Sequence, residues 1–173
     1  MQEKNRHLNS LCNVMQANKY VLNLNFNNNI HSISEQLQSF VQEATQSSTS
    51  GNLEASLAFD GNENTFSHTR MTAPHWIKAV FKQRVFVEYV TIVNRANLVG
   101  TSYENRIHYI DFFTVLHTNG QSVQTLFGNT GQLEDRKTLI CQRYADELFA
   151  NQPVEQAADV MNIAEIWIYG HPK

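Results

Sequence analysis

From residue 44 onward the apolar positions come in short runs that largely alternate with polar ones, the two-residue period of half-buried strands. Trp76-Ile77-Lys78-Ala79-Val80-Phe81 is the first clear run, and Val85 to Val93 is the richest in β-branched and aromatic residues. Ile107 to Leu116 predicts another strand. Thr118-Asn119-Gly120-Gln121 predicts a hairpin, because Asn-Gly supplies the left-handed conformations of a tight antiparallel turn. Ser122 to Phe127 would return from it, and Ala164 to Gly170 predicts a closing strand. Arg143 to Met161 reads differently. Its Ala, Glu and Leu, interrupted at Pro153, predict one or two short helices. Several short strands with turn signals between them predict an all-β chain, an antiparallel β-sandwich.

The first forty residues differ from the rest, with no Gly and no Pro. Val21 to Phe26 largely alternates and predicts a strand, while Ile33, Leu37, Phe40 and Val41 fall at helical spacing behind a start signal at Ser34. The expected division is an N-terminal extension over residues 1–40 and a sandwich over 41–173. The extension reads as an arm that docks on the sandwich or on a partner, or as a free terminus.

Composition narrows the classes. A chain of 173 residues with 42% hydrophobic and 17% charged residues suits one domain with a sizeable core. Its net charge of −3 gives no basic footprint for nucleic acid and no reason to adsorb to an anionic membrane. No apolar run approaches the ~18 residues of a membrane span, so no membrane insertion is expected. Met1 to Asn29 is polar, with no apolar core of a secretory signal, so an intracellular, cytoplasmic location is expected. Lys4, Arg6 and Lys19, with no Asp or Glu from Lys4 to Ser34, keep a mitochondrial destination open. Cys12 and Cys141 read as free thiols. The histidines are scattered without a metal-ligand spacing, and the glycines form no phosphate-cradling loop. Glu134, Asp135, Asp146 and Glu147 fall in segments that read as surface or loop, and Trp76 and Trp167 read as core anchors. Catalysis is not expected.

Six pieces carry a family resemblance: Ala44-Thr45-Gln46-Ser47-Ser48, Ala58-Phe59-Asp60-Gly61-Asn62, Ser67-His68-Thr69, Pro74-His75-Trp76, Val90-Thr91-Ile92-Val93-Asn94-Arg95 and Glu165-Ile166-Trp167-Ile168-Tyr169-Gly170. In that order they resemble the discoidin, or coagulation factor 5/8 type C, family, and within it the fucose-binding F-type lectins. The resemblance covers about residues 41–170 and implies a galactose-binding-domain-like jelly roll that binds rather than catalyses. Discoidin-like modules without a secretion signal resemble components of ciliary and organellar assemblies. That points to protein partners in a larger intracellular assembly, cytoskeletal or ciliary. The other implied role is a lectin for a fucosylated glycan.

By resemblance the sugar site would use His68, Arg95 and Arg106, with Asn97 where the lectins carry an Asp that orients the first Arg. Arg106 stands behind an insertion containing Gly100, Thr101, Ser102 and Tyr103, and Leu98 and Val99 replace the lectins' paired cysteines, where they could still wall a sugar methyl. The chemistry suits a sugar, since Arg offers a rigid fork of donors and His a further donor or acceptor. The alternative is local pairing of Arg95 with Asp111 or Glu104, leaving His68 as a surface residue. The resemblance also implies a structural calcium ion held by the Leu57 carbonyl, Asp60, Asn62 and Glu165, with Thr65 as a further oxygen. Calcium takes about six to eight oxygens, so such a set makes chemical sense. The alternative is an Asp-Gly turn that closes on its own hydrogen bonds.

Overall fold

The computed structural model describes residues 33–71, 74–98, 100–101, 103–133, 135–153 and 160–173. Cys12, His7, His31 and the expected strand at Val21 to Phe26 lie outside them. The described strands are β1 (Glu35–Gln36), β2 (Val41–Gln46), β3 (Ser67–His68), β4 (His75–Val93), β5 (Asp111–Thr118), β6 (Gln121–Asn129), β7 (Arg136–Gln152), β8 (Asn162–Ile163) and β9 (Glu165–Pro172). Every pairing is antiparallel. The larger sheet runs β1-β9-β4-β7-β5-β6 with β2 also on β4, and β3 pairs with β8. The molecule is an antiparallel β-sandwich. Among the described residues no helix is long and apolar enough to cross a membrane.

Strand β4 is the backbone of the larger sheet. Its first half pairs with β2 and its second half with β9, while β7 follows it along most of its length. The two runs expected at 76–81 and 85–93 are therefore one strand of 19 residues. Ile77, Ala79 and Phe81 point inward, as do Val85 and Val87, and then the phase moves to Val90 and Ile92. The change falls at a bulge between Val87 and Tyr89, where one extra residue re-aims the strand. The core closes on these side chains with Phe112, Leu148, Ile166 and Ile168.

The expected helices in Arg143 to Met161 do not form over the described part. Arg136–Gln152 is a strand, with Leu139, Cys141, Ala145, Leu148, Ala150 and Gln152 buried. Gln142, at φ 54°, takes up the shift of phase between Cys141 and Ala145. Pairing on both sides with β4 and β5 outweighs the weak helix preference of Ala, Glu and Leu. Residues 154–159 lie outside the described set. Asp146 and Glu147 sit on this strand rather than in a loop. Asp146 is held by Arg84 at 2.7 Å, and Glu147 by His117 at 2.9 Å and Lys78 at 3.6 Å. The Asn119-Gly120 hairpin forms as expected, with φ of 52° and 75°. Cys141 is a free thiol, and burial pushes its pKa up to about 12.

The helical spacing read at Ile33 to Val41 gives only a 3-10 turn, Gln38–Phe40. Leu37 alone of these residues is fully buried, whereas Ile33 is 90% exposed, so no apolar stripe exists for a longer helix to bury. Glu35–Gln36 adds a strand to β9, and the Leu37 amide donates to the Ile168 carbonyl at 2.8 Å. Leu37→Ala should cost about 2–5 kcal/mol, the usual range for an emptied core leucine, and chemical denaturation would read it as a lower midpoint at unchanged slope.

The end that matters for function is where β4 finishes and β7 and β9 begin, with Val93 opposite Arg136 and Glu165. The connections there, before β3 and after β4, carry the candidate site residues.

Candidate functional site

His68 lies on β3, fixed by pairing to Asn162 on β8. Arg95 follows β4 by two residues, its amide bonded to the Asn94 side-chain oxygen at 2.8 Å. Arg106 lies in the 3-10 turn Glu104–Ile107, its guanidinium over the Tyr103 ring at 4.5 Å. The three residues lie near enough to feel one another's charge, although of the three only Arg95 lines the cleft described below. The charges of Arg106 and Arg95 both add to burial in lowering the His68 pKa below its ordinary value, and burial, then Arg106, lowers that of Arg95.

Local pairing of Arg95 does not occur. Among the described residues neither Arg95 nor Arg106 forms an ion pair. The Glu104 carboxylate instead accepts from the Gly100 amide at 2.8 Å, and Asp111 accepts from Asn129 at 2.6 Å. The Arg95 guanidinium lies over the Phe66 ring, 3.5 Å from its centre. Phe66 thus does the orienting that was expected of Asn97, since no hydrogen bond among the described residues joins Asn97 to Arg95. Arg95 and Asn97 border a cleft of about 190 Å³ together with Phe66, Asn64 and Glu63. Leu98 is buried and presents no wall to it, and Val99 lies outside the described residues.

His68 has one defined tautomer. Its Nδ1 stands 2.6 Å from the Thr69 carbonyl oxygen, which can only accept, so the neutral ring carries its proton there. The Nε2 lone pair is left as an acceptor.

Of the expected calcium ligands, Leu57 sits in the 3-10 turn Ala55–Ala58, Asp60, Asn62 and Thr65 sit between that turn and β3, and Glu165 reaches them from β9. The Thr65 hydroxyl is 2.7 Å from Asp60 Oδ2, 2.7 Å from the Asn62 carbonyl and 3.5 Å from the Leu57 carbonyl. It has one proton for three oxygens, so acceptors face one another there. That arrangement fits a hard cation. The side chains also close the loop themselves. Glu165, fully buried, accepts from the Gly61 and Asn62 amides at 2.8 and 3.1 Å, and the Asn62 side-chain oxygen accepts from the Asn64 amide at 3.1 Å. Burial chiefly, with the charge of Asp60, pushes the Glu165 carboxyl up to about 7 despite those N–H bonds. Among the described residues no cluster holds three or more His, Cys, Asp or Glu side chains suited to a metal. A cation here would therefore rest largely on carbonyl and hydroxyl oxygens.

The tryptophans are not core anchors. Strand β9 turns Ile166 and Ile168 inward, and Trp167 and Tyr169 outward, half-buried. Trp167 instead stands where a Cβ on Gly61 would meet its ring at 3.8 Å, and donates from Nε1 to Glu63 at 2.9 Å. The period-two pattern of 165–170 carried that signal. Phe66 had a weaker one, two residues before His68 and so on the same face. Nothing in the sequence marks Glu63.

Comparison with solved structures places this geometry. A fucose-binding module from Streptococcus pneumoniae aligns with a TM-score of 0.62 and 20% identity, over 78% of this chain and 97% of that one. A family 32 carbohydrate-binding module from Clostridium perfringens, solved with galactose, aligns at 0.63 and 23%, over 79% and 99%. A fucolectin from striped bass (Morone saxatilis) serum aligns at 0.62 and 21%, over 79% of this chain and 47% of that one. The fold is that of the discoidin-like, F-type lectin sandwiches. No family model matches the sequence, and no curated protein does. The neighbours are binding modules rather than catalytic domains.

Proposed function

We propose that the chain is a non-catalytic carbohydrate-binding module that takes a terminal fucose-type sugar at His68, Arg95 and Arg106, on a loop braced by calcium. The observation that carries this reading is the Arg95 guanidinium, free of any carboxylate among the described residues, laid flat on Phe66 at the edge of a cleft the size of one sugar. Two guanidiniums and a neutral imidazole acceptor match the fixed hydroxyls of a sugar ring. The Phe66 ring holds the first guanidinium in place in the absence of the acidic partner that the lectins carry. Structural neighbours named for fucose binding support the sugar class.

Calorimetric titration with L-fucose, in calcium and again in chelator, tests the reading. Saturable heat in calcium is expected. Flat heat at millimolar sugar in both buffers overturns it. Calcium near 100 times its dissociation constant would add about 2.7 kcal/mol to stability. At roughly 2–4 °C per kcal/mol for a chain of this length, chelation should lower the melting temperature by about 5–10 °C. An unchanged melting temperature removes the ion from the account.

A second reading keeps the module as a component of an intracellular, cytoskeletal or ciliary protein assembly. It is favoured by apolar side chains left on the outer sheet face, Ile140 at 65% and Tyr144 at 42% exposure. Co-purification in a stable complex supports it, and a monodisperse free monomer with no partner counts against it.

A further inference from the structure

A second concavity, larger than the sugar cleft, lies beside it on the outer face of the main sheet, and nothing in the proposed fucose site uses it. It measures about 480 Å³ and is bounded by β1, β9, β4, the start of β7 and the loop before β3. Its apolar wall is Tyr89, Tyr169 and Trp167. Tyr89 and Tyr169 are cross-strand partners whose rings stack 4.7 Å apart at 18°. Its polar rim is Gln36, Arg136 and Glu63.

This rim is built rather than incidental. The Glu63 carboxylate is held at both oxygens, Oε1 by Trp167 Nε1 at 2.9 Å and Oε2 by the Arg136 guanidinium at 3.1 Å. Glu63 also borders the smaller cleft of Arg95 and Asn97. The two concavities therefore meet at one residue. The small one, at about 190 Å³, has room for a single ring. The large one falls within the roughly 300–1,000 Å³ of small-ligand sites.

We propose that this second cleft is a saccharide subsite continuous with the first, so that the protein reads an oligosaccharide rather than its terminal fucose alone. The inference rests on the fucose reading and names the length of its ligand. A pyranose has apolar C–H faces and a girdle of hydroxyls. Aromatic carbon on Tyr89, Tyr169 and Trp167 meets the former, while the Gln36 amide and the Arg136 and Glu63 pair meet the latter. The rim groups already hold one another in place, so less freedom is lost when a ligand arrives.

The test is titration of the full chain with a ladder of probes: L-fucose, fucosyllactose and lacto-N-fucopentaose. Affinity should rise at least about tenfold from the monosaccharide to the pentasaccharide. Tyr169→Ala and Arg136→Gln should each remove most of that gain and leave the fucose affinity as it was. Arg136 is half exposed, so its variant keeps the test valid should Tyr169→Ala fail to fold. Fucose heat with no gain along the ladder overturns the subsite alone. So does a gain that survives both variants. Silence from all three probes overturns the subsite and the fucose reading together.

Discussion

Arg95→Ala should weaken fucose binding by about 100-fold or more, with little change in melting temperature. The loss follows from what the guanidinium offers. A hydrogen bond to a charged group contributes about 1.5–3 kcal/mol, and a fork that meets two hydroxyls doubles that. About 2.7 kcal/mol already makes a factor of 100. The small effect on stability follows from what Arg95 does not do. It makes no ion pair among the described residues and stands near the like charge of Arg106. Its stacking on Phe66 is worth about 0.5–1 kcal/mol at a partly exposed site. Arg95→Lys is the informative companion, because it keeps the charge and loses the planar fork. If Lys restores binding, the site reads charge alone and the stacking on Phe66 is irrelevant. Calorimetry with the wild type and both variants decides it. The pH profile checks His68 in the same experiment. Its pKa is lowered, so the ring stays neutral down through its ordinary 6.5 and protonates only on the acid side. Fucose affinity should hold from pH 8 to about 6.5 and fall below that, as Nε2 gains a proton and turns from acceptor to donor.

The sandwich was legible because its signals are local and strong. Alternation in Val85 to Val93 and Ala164 to Gly170 needs no tertiary information, and Asn119-Gly120 specifies its own turn. Two misreadings share a different cause. Arg143 to Gln152 carries side chains that favour a helix slightly, and only the long-range pairing with β4 and β5 makes it a strand. The runs at 76–81 and 85–93 read as separate, yet β4 continues through Lys82-Gln83-Arg84 between them, with the first two side chains exposed and Arg84 held by Asp146 at 2.7 Å. In each case the deciding partner lies far along the chain. The candidate site divides in the same way. Resemblance supplied His68, Arg95 and Arg106 residue by residue, and it supplied Asn97 as the group that would orient Arg95. Phe66 and Glu63 act only through what the fold sets beside them, a guanidinium in one case and a tryptophan in the other.

Gly170→Ala should be the most damaging single methyl in the molecule. Gly170 pairs with Val87 in the stretch where β4 bulges before Tyr89. A Cβ built there would collide with the Phe86 carbonyl oxygen, with the Glu88 amide nitrogen also only 3.2 Å away. Both are backbone atoms of a strand paired on its other side to β7, so neither can swing aside as a side-chain end would. Relief requires β4 and β9 to separate, and their contact carries Val87, Val90, Ile166 and Ile168 of the core. Overpacking usually costs about 1–3 kcal/mol, and a backbone clash belongs at the top of that range or above it. At roughly 2–4 °C per kcal/mol the melting temperature should fall by about 6–12 °C or more. Gly128→Ala is the matched control. Its added methyl meets the Leu139 side chain at 3.0 Å, and a leucine can change rotamer where a backbone carbonyl cannot. The two variants differ by the same atoms on the same fold, so a melting temperature for Gly170→Ala no lower than that of Gly128→Ala would mean that β4 and β9 are not held as closely at the bulge as described. The expected large gap instead ties the bulge to the outer face of the sheet. It fixes where Tyr89 stands against Tyr169, and with it the wall of the second cleft.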